Sequence, residues 1–193
     1  VIANAINLLL ESYGNTISTD TACNLKQSDD AGVSELLAEM KRGEVDGVIF
    51  YNANPLYTMP DAEGFRAALQ KVGLKISLAE RADETASACD FVCPDHHYLE
   101  SWGDAEPYQG SFSLTQPAIA PIFKTRAATE SFLKWSGNAT DHLTYVQTYW
   151  KNNVFPLQKE VSSFETFWTN CLRDGVFTAA AAAAAPVKFN TDL

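Results

Sequence analysis

The chain has 193 residues, enough for one domain or for one domain with an appended arm. Hydrophobic residues make up 46% of the chain and charged residues 20%, a composition that can bury a core and excludes a disordered chain. The formal net charge of -10 disfavours nucleic acid and anionic lipid as partners, because their phosphates would be repelled.

The chain opens inside a helical pattern. Apolar residues at helical spacing predict a helix over Val1–Tyr13, which Gly14 ends. Neither an initiator Met nor a signal peptide precedes this pattern, so we expect the sequence to come from the middle of a longer polypeptide. No apolar run reaches the roughly 20 residues of a membrane helix, and no direct membrane span is predicted.

Helices and strands alternate in the predictions as far as Pro94. A strand at Val45–Tyr51, of the length expected for a strand buried on both faces, precedes a helix that begins at Pro60-Asp61 and ends at Gly73. This order predicts a βαβ unit with parallel strands. The remaining predicted elements are a helix over Val33–Arg42, strands at Leu74–Ala79 and Cys89–Pro94, and a short helix at Asp83–Ala88. The predicted fold class is therefore α/β, an open and mainly parallel sheet with flanking helices.

Beyond Pro94 the pattern changes to a long loop arm and then to helices. Aromatic residues alternate with Gly and Pro over Asp95–Lys124, and we expect the stretch Trp102–Phe123 to be ordered by contact with another part of a complex. The predicted helices are Arg126–Trp135, Asp141–Tyr149 and Ser163–Asp174. The predicted domains are an α/β lobe over 1–136, which includes the arm at 95–124, and a helical extension over 137–193. The alanine run at 179–185 fits either a true helix or unassigned residue types, and no function is drawn from it.

Four cysteines are scattered along the chain, at positions 23, 89, 93 and 171. Cys93-Pro94 is similar to the end of an iron–sulfur ligand run. A cluster needs three or four thiolates, however, and neither Cys23 nor Cys171 has a partner at ligand spacing. We interpret Cys89 and Cys93 as small apolar residues of a buried strand.

A polar cluster follows the third predicted strand. Asp95, His96, His97 and Glu100 offer carboxylate and imidazole ligands at a strand end, where α/β sheets tend to place their sites, so a zinc site or a proton relay is one interpretation. Adjacent histidines point in different directions and no further ligand follows at a converging spacing, which favours a polar loop. His142 is predicted to lie on the surface.

Common catalytic fingerprints are missing from the sequence. There is no Gly-x-Gly-x-x-Gly, no Gly-x4-Gly-Lys-Ser/Thr and no Gly-x-Ser-x-Gly. The sequence therefore gives no support to an ordinary NAD or ATP enzyme or to a serine hydrolase.

Three motifs in a fixed order resemble the third lobe of molybdopterin oxidoreductases. The first is a strand that runs into an Asn-Pro loop, at Gly47–Pro55. The second is Glu84-Thr85-Ala86 followed by the strand Ala88–Pro94, and the third is a Glu-x-x-Gly turn within Leu99–Asp104. With the opening helix, the resemblance covers about Val1–Ser136.

The segment after Glu100 departs from the catalytic members of that family. Those members usually continue with an Asn and then a Glu-Gly-Arg turn, whereas this chain carries the segment Asp104–Pro117. With Trp102 and the run Ile119–Pro121, this version looks most like the B subunits of bacterial alternative complex III. In those subunits the molybdopterin-like region holds no molybdenum cofactor, and a separate region carries iron–sulfur clusters.

The resemblance implies a scaffold lobe of an electron-transfer subunit in a membrane-bound, quinol-oxidising respiratory complex. It implies no catalytic, cofactor-binding or metal-binding residue in this segment, iron–sulfur clusters elsewhere in the subunit, and hemes in partner subunits. The implied partners are cytochrome c-type and integral membrane subunits. The implied location is a bacterial inner-membrane complex, peripheral and on the periplasmic side.

Two other functions stay open at this stage. One is a catalytic molybdenum enzyme of the same superfamily, such as a formate dehydrogenase or a polysulfide or nitrate reductase. In such an enzyme the resemblance implies that Asn52, Asn54 and Pro55 line the pterin nucleotide pocket. The other is a solute-binding or receiver-like α/β domain, which explains the βαβ unit but not the ordered motifs.

Overall fold

The structure is a computed structural model that describes residues 2–18, 21, 23–25 and 28–179. The alanine run lies, apart from Ala179, outside the described residues. The chain divides into two compact units. The sheet unit comprises 28–103 and 115–148, and the aromatic unit comprises the described residues within 1–27, 104–114 and 149–193. The division into a lobe over 1–136 and an extension over 137–193 stays a prediction.

A parallel sheet of three short strands forms the centre of the sheet unit. Its strands are β1 (Gly47–Phe50), β2 (Leu74–Ser77) and β3 (Phe91–Val92) in the order β1-β2-β3. Both pairings are parallel, with Ile49 opposite Ile76 and Ile76 opposite Phe91. The predicted parallel α/β sheet is confirmed, because the segments between its strands are long enough for crossovers and too long for hairpin turns.

Helices α2 (Asp30–Arg42), α3 (Pro55–Thr58) and α4 (Ala62–Leu69) connect and flank these strands. Asp29 caps α2 by accepting a hydrogen bond from the Gly32 backbone N–H at 2.9 Å, and Asp61 caps α4 in the same way through Gly64. Gly43 ends α2 with a φ of 75°, a left-handed conformation that glycine adopts without steric cost.

One face of the sheet packs on these helices. Side chains alternate between the two faces of a strand, so Val48 and Phe50 point to the core and Ile49 points away from it. Ile49 is 44% exposed, which corrects the prediction of a strand buried on both faces. The buried core cluster consists of Met40, Phe50, Leu56, Phe65, Ala68, Leu69 and Val72.

Two predicted elements near β3 are shorter in the structure than in the sequence analysis. The predicted helix over Asp83–Ala88 is a 3-10 turn at Ala86–Ala88, and the predicted strand over Cys89–Pro94 pairs only at Phe91–Val92. The unit also contains α5 (Ala128–Trp135) and α6 (His142–Tyr149), close to their predicted bounds. Tyr149 is the first residue of the aromatic unit's last segment.

The predicted loop arm contains a β-hairpin. β4 (Gly103–Tyr108) and β5 (Ser111–Thr115) flank a turn in which Gly110 has a φ of 80°. β5 pairs antiparallel with β6 (Val176–Thr178), in the order β4-β5-β6. The predicted loop arm over Asp95–Lys124 therefore includes two strands that the sequence did not indicate. The Pro and Gly content obscured the alternation of Phe112 and Leu114 with polar residues on β5.

Aromatic rings form the core of the aromatic unit. Trp150 is fully buried and donates its indole N–H to Asp104 Oδ2 at 2.8 Å. Its ring lies 6.2 Å from the ring of Phe112 and 5.8 Å from that of Trp168. Trp168 belongs to α7 (Phe164–Asp174), whereas α1 (Ile2–Leu9) buries no residue.

Phe112 is 9% exposed, so this ring of the predicted docking stretch finds cover within the chain itself. Ile122 and Phe123 are 70% and 74% exposed, and for them the docking stays a prediction.

Within the described part of the chain, no helix is both long and apolar enough to cross a membrane.

Candidate functional site

The carboxyl edge of the parallel sheet is the candidate site, because open α/β sheets bind their ligands at this edge. β1 ends at Phe50 and continues into the loop of Asn52, Asn54 and Pro55. Asn52 has a φ of 50°, a left-handed conformation that asparagine tolerates better than most residues. Pro55 occupies the first turn of α3, where its missing N–H leaves no hydrogen bond unmade.

Asn54 ties this loop to the segment that follows β2. Its Nδ2 donates to Glu84 Oε2 at 2.7 Å. Its Oδ1 accepts from the Thr85 hydroxyl at 2.7 Å and from the Thr85 backbone N–H at 3.2 Å. Three of the four hydrogen-bonding positions of the Asn54 amide are therefore used inside the lobe.

Thr85 completes the connection. Its side chain is fully buried, and its Oγ1 accepts from the backbone N–H of Leu56 at 3.1 Å while donating to Asn54. The hydrogen bond from the Asn54 amide lowers the pKa of the Glu84 carboxyl and stabilises its charged form. We call this set of Asn54, Leu56, Glu84 and Thr85 the Asn54–Thr85 latch.

The donor chemistry of this edge does not fit a pterin nucleotide. A nucleotide diphosphate needs cationic groups or free N–H donors, and the latch already uses most of the polar capacity of Asn54. The segment after β2 presents three carboxylates, Glu80, Asp83 and Glu84, beside one cation, Arg81. Among the described residues, the alternative pocket of Asn52, Asn54 and Pro55 therefore offers phosphates few free donors from Asn54.

The polar side chains after β3 accept hydrogen bonds from backbone N–H groups. Asp95 Oδ1 accepts from the Ala128 N–H at 2.7 Å, at the start of α5, and from the His96 N–H at 2.8 Å. His97 Nδ1 accepts from the Leu99 N–H at 3.3 Å, and its ring lies against Tyr98 with centroids 4.4 Å apart. The described residues contain no group of three or more metal-ligand side chains. The absence of metal from this segment stays a prediction.

Glu100 connects two segments of this region through hydrogen bonds. Its buried carboxylate accepts from the backbone N–H of Ile122 at 2.9 Å and from that of His97 at 3.2 Å. The Ile122 hydrogen bond is the main reason that the pKa of Glu100 lies below its ordinary value, with burial acting in the opposite direction. Glu100 thus holds two segments 22 residues apart, which its motif in the sequence did not indicate.

His142, predicted to lie on the surface, is half-buried. Its Nδ1 lies 3.3 Å from the hydroxyl of Ser101. That hydroxyl also donates to the backbone carbonyl of Trp102 at 2.9 Å, and which partner donates in its contact with the imidazole depends on the histidine tautomer. The sequence separation of 41 positions explains why no local pattern predicted the contact.

The cysteines lie in different surroundings, and the absence of a cluster from this segment stays a prediction. The Cys89 thiol donates to the Thr85 carbonyl at 3.2 Å and packs against the core cluster. Burial raises the pKa of the Cys89 thiol, and it raises that of Cys171, on α7, to about 11. Cys23 is exposed. Raised pKa values keep Cys89 and Cys171 as neutral thiols at neutral pH, the form suited to packing.

Comparisons with known proteins cover much of the same region. The family model described as molybdopterin oxidoreductase matches residues 3–131. Among curated proteins, the menaquinone reductase, molybdopterin-binding-like subunit of Nitratidesulfovibrio vulgaris (strain Hildenborough) is 33% identical over 105 residues. That match covers 52% of this chain and 15% of the relative.

A solved structure shares the fold. Acetylene hydratase from Pelobacter acetylenicus superposes with a TM-score of 0.50 at 14% identity, over 76% of this chain and 20% of that chain. At this identity the likeness shows the fold alone. The chain spans a fifth or less of the length of these two relatives.

Proposed function

Because this chain belongs to the molybdopterin oxidoreductase family, we propose that it is a scaffold lobe of an electron-transfer subunit in a quinol-linked respiratory complex. The lobe would hold no cofactor of its own and would keep its partners within electron-transfer range. The Asn54–Thr85 latch carries the proposal, since it uses three of the four hydrogen-bonding positions of Asn54, one of the three residues implied for a pterin nucleotide pocket.

The curated relative supports the quinone context. Its name describes a subunit of a menaquinone reductase and calls that subunit molybdopterin-binding-like. We propose for this chain the same kind of assembly in the direction of quinol oxidation, as in alternative complex III. The proposal includes iron–sulfur clusters elsewhere in the subunit, hemes in partner subunits, and a peripheral, periplasmic position on a bacterial inner membrane.

Elemental analysis of the intact complex tests the proposal. We expect quinol oxidation by the complex together with stoichiometric iron and without stoichiometric molybdenum or tungsten. Stoichiometric molybdenum, with a pterin nucleotide beside Asn52–Pro55, would make the catalytic alternative correct. A complex that does not react with quinols would contradict the respiratory assignment.

Cysteine variants test whether this lobe holds a cluster. The double variant Cys89→Ser, Cys93→Ser should leave the iron content and the iron–sulfur EPR spectrum of the complex unchanged, because neither thiol has converging partners. Cys23→Ser, at an exposed position, is the matched control. Loss of iron or of an EPR signal in the double variant alone would assign a cluster to this lobe.

A further inference from the structure

The turn between α5 and α6 carries the tripeptide Asn138-Ala139-Thr140. Asn-x-Ser/Thr with a middle residue other than proline is the acceptor pattern for N-linked glycans, and it belongs to surface loops of secreted proteins. No other asparagine of the chain stands in this pattern. A pattern this short also arises by chance, so the surroundings of Asn138 decide whether it can act as an acceptor.

The turn is exposed and its backbone is fixed. Every residue from Lys134 to Ala139 is exposed. Gly137 has a φ of 83° and ends α5 in a left-handed conformation. The backbone N–H of Asn138 donates to the Leu133 carbonyl at 2.8 Å, which sets the direction in which the chain leaves α5. A bulky group attached to Asn138 can therefore extend into solvent without displacing a packed side chain of the described residues.

The Asn138 amide is engaged through its oxygen. Its Oδ1 accepts from the Thr140 hydroxyl at 2.6 Å and from the Thr140 backbone N–H at 2.9 Å. Its Nδ2 has no hydrogen-bond partner among the described residues. An amide nitrogen becomes a nucleophile when it gives up a proton, and donors on the amide oxygen stabilise the negative charge that then develops there. The pair of Asn138 and Thr140 thus leaves the reacting nitrogen accessible and supports the charge on the oxygen.

We propose that Asn138 accepts an N-linked oligosaccharide from a polyprenyl-diphosphate-linked donor. A bond forms between Nδ2 and the anomeric carbon of the first sugar, and the bond from that carbon to the diphosphate oxygen breaks. The diphosphate leaves with the electron pair, and Nδ2 loses one proton to a base of the transferase. Modification of Asn138 depends on the proposed periplasmic position, because N-linked glycans are carried by secreted proteins.

A glycan on Asn138 identifies a free surface of the sheet unit. The attached sugars are bulky and hydrated, so a partner subunit cannot pack closely on the turn between α5 and α6. The partners of the complex therefore bind surfaces of the lobe other than this turn.

Mass spectrometry of the natural complex tests the modification. Trypsin releases Asn138 in the peptide Trp135–Lys151, and the next peptide begins at Asn152. We expect the first peptide to carry an added mass equal to a whole number of sugar residues, and fragment ions to place that mass on Asn138. Asn152 is exposed but lies outside the acceptor pattern, so its peptide is the control and should carry no added mass.

Two substitutions at Thr140, expressed in the natural host, separate modification from a purely structural turn. Thr140→Val removes the hydroxyl of the acceptor pattern but keeps Asn138, and it should abolish the added mass. Thr140→Ser is the matched control, since it keeps both the hydroxyl and the pattern and should keep the added mass. An unmodified wild-type peptide would overturn the proposal, as would an added mass that lies on Thr140 or that survives Thr140→Val. The wild-type peptide decides the matter even if a variant fails to accumulate.

Protease digestion of spheroplasts tests the periplasmic position separately. A subunit that is cleaved from outside and carries an unmodified Asn138 would overturn the modification alone. A protected subunit with an unmodified Asn138 would contradict both the modification and the proposed position. Iron content, molybdenum content and quinol oxidation enter none of these outcomes.

Discussion

At the scale of single residues, buried polar side chains hold the candidate site together. Thr85 has no charge and occupies no known catalytic motif, yet it joins the loop after β1 to the segment after β2. This buried hydroxyl matters because its loss removes one hydrogen bond from the Leu56 N–H and one of the two that Asn54 Oδ1 accepts from Thr85. Exposed ion pairs such as Arg42–Glu44 contribute much less, because water screens the attraction between their charges.

Thr85→Val should destabilise the protein by about 1 to 3 kcal/mol, because the Leu56 N–H and the Asn54 Oδ1 each lose a partner while the side-chain shape is kept. Urea unfolding measures the difference. Thr58→Val is the matched control, since the exposed Thr58 hydroxyl donates to the Asn54 carbonyl one turn back, and its loss should cost less than about 0.5 kcal/mol. If the two substitutions lowered the free energy of unfolding equally, the latch would contribute no more to stability than an exposed hydrogen bond.

Glu100→Gln should lower stability at neutral pH and lose its effect in acid. The pKa of Glu100 is lowered in the folded protein, so its contribution is fully present above the unfolded value of about 4.3. That contribution disappears as the pH falls through the lowered folded value. Urea unfolding at a series of pH values should show the wild-type and variant curves converging below about pH 4.

Glu35→Gln, at an exposed position of α2, is the control for removal of one carboxylate without loss of a buried contact. A constant difference in stability between the wild-type protein and Glu100→Gln across the whole pH range would show that the charge on Glu100 does not cause the stabilisation.

At the scale of elements, glycine residues mark where a helix ends and where the next strand begins. Gly43 ends α2 in a left-handed conformation, and Gly47 opens β1 four residues later. The two glycines have different surroundings. A Cβ on Gly43 would meet no atom within 4 Å but would have a φ of 75°, whereas a Cβ on Gly47 would make ordinary contacts at 3.6 and 3.7 Å with Leu74.

Gly43→Ala should therefore destabilise the protein by about 1 to 2 kcal/mol, the cost of a left-handed conformation for a residue with a Cβ. Gly47→Ala, the matched control, should be neutral or stabilise by up to about 1 kcal/mol, because alanine restricts the unfolded chain. Thermal unfolding of both variants measures the difference. A stabilising Gly43→Ala would contradict the assigned cap.

At the scale of the whole molecule, the net charge of -10 works against the compact state. Three of the described ion pairs, Arg42–Glu44, Arg66–Glu63 and Arg173–Asp174, are exposed, and such pairs offset little of this repulsion. The dependence of the melting temperature on salt concentration shows whether the repulsion or the attraction in these pairs is larger.

Raising NaCl from about 10 to 150 mM should increase the melting temperature by roughly 1 to 4 °C, because salt screens repulsion between exposed carboxylates. Scanning calorimetry at constant pH measures the shift. Potassium chloride at the same concentrations is the control for a specific sodium effect. A decrease in melting temperature would mean that attractive pairs outweigh the repulsion.

The sequence by itself determined the parallel sheet and the family. Hydrophobic periodicity and breaks at Gly43, Asn54-Pro55 and Gly73 are local signals, so β1, α4 and β2 were predictable from short windows. The three ordered motifs indicated the family, and the family model confirms it.

Tertiary structure decided what the polar residues of those motifs do. Asn54 pairs with Thr85 across 31 residues, Glu100 with Ile122 across 22, and Ser101 with His142 across 41. No local periodicity encodes such pairs, because they depend on which distant segments the fold brings together. The exposure of Ile49 and Phe91 is also a tertiary property, since the alternation along a strand distinguishes two faces but not which of them is covered.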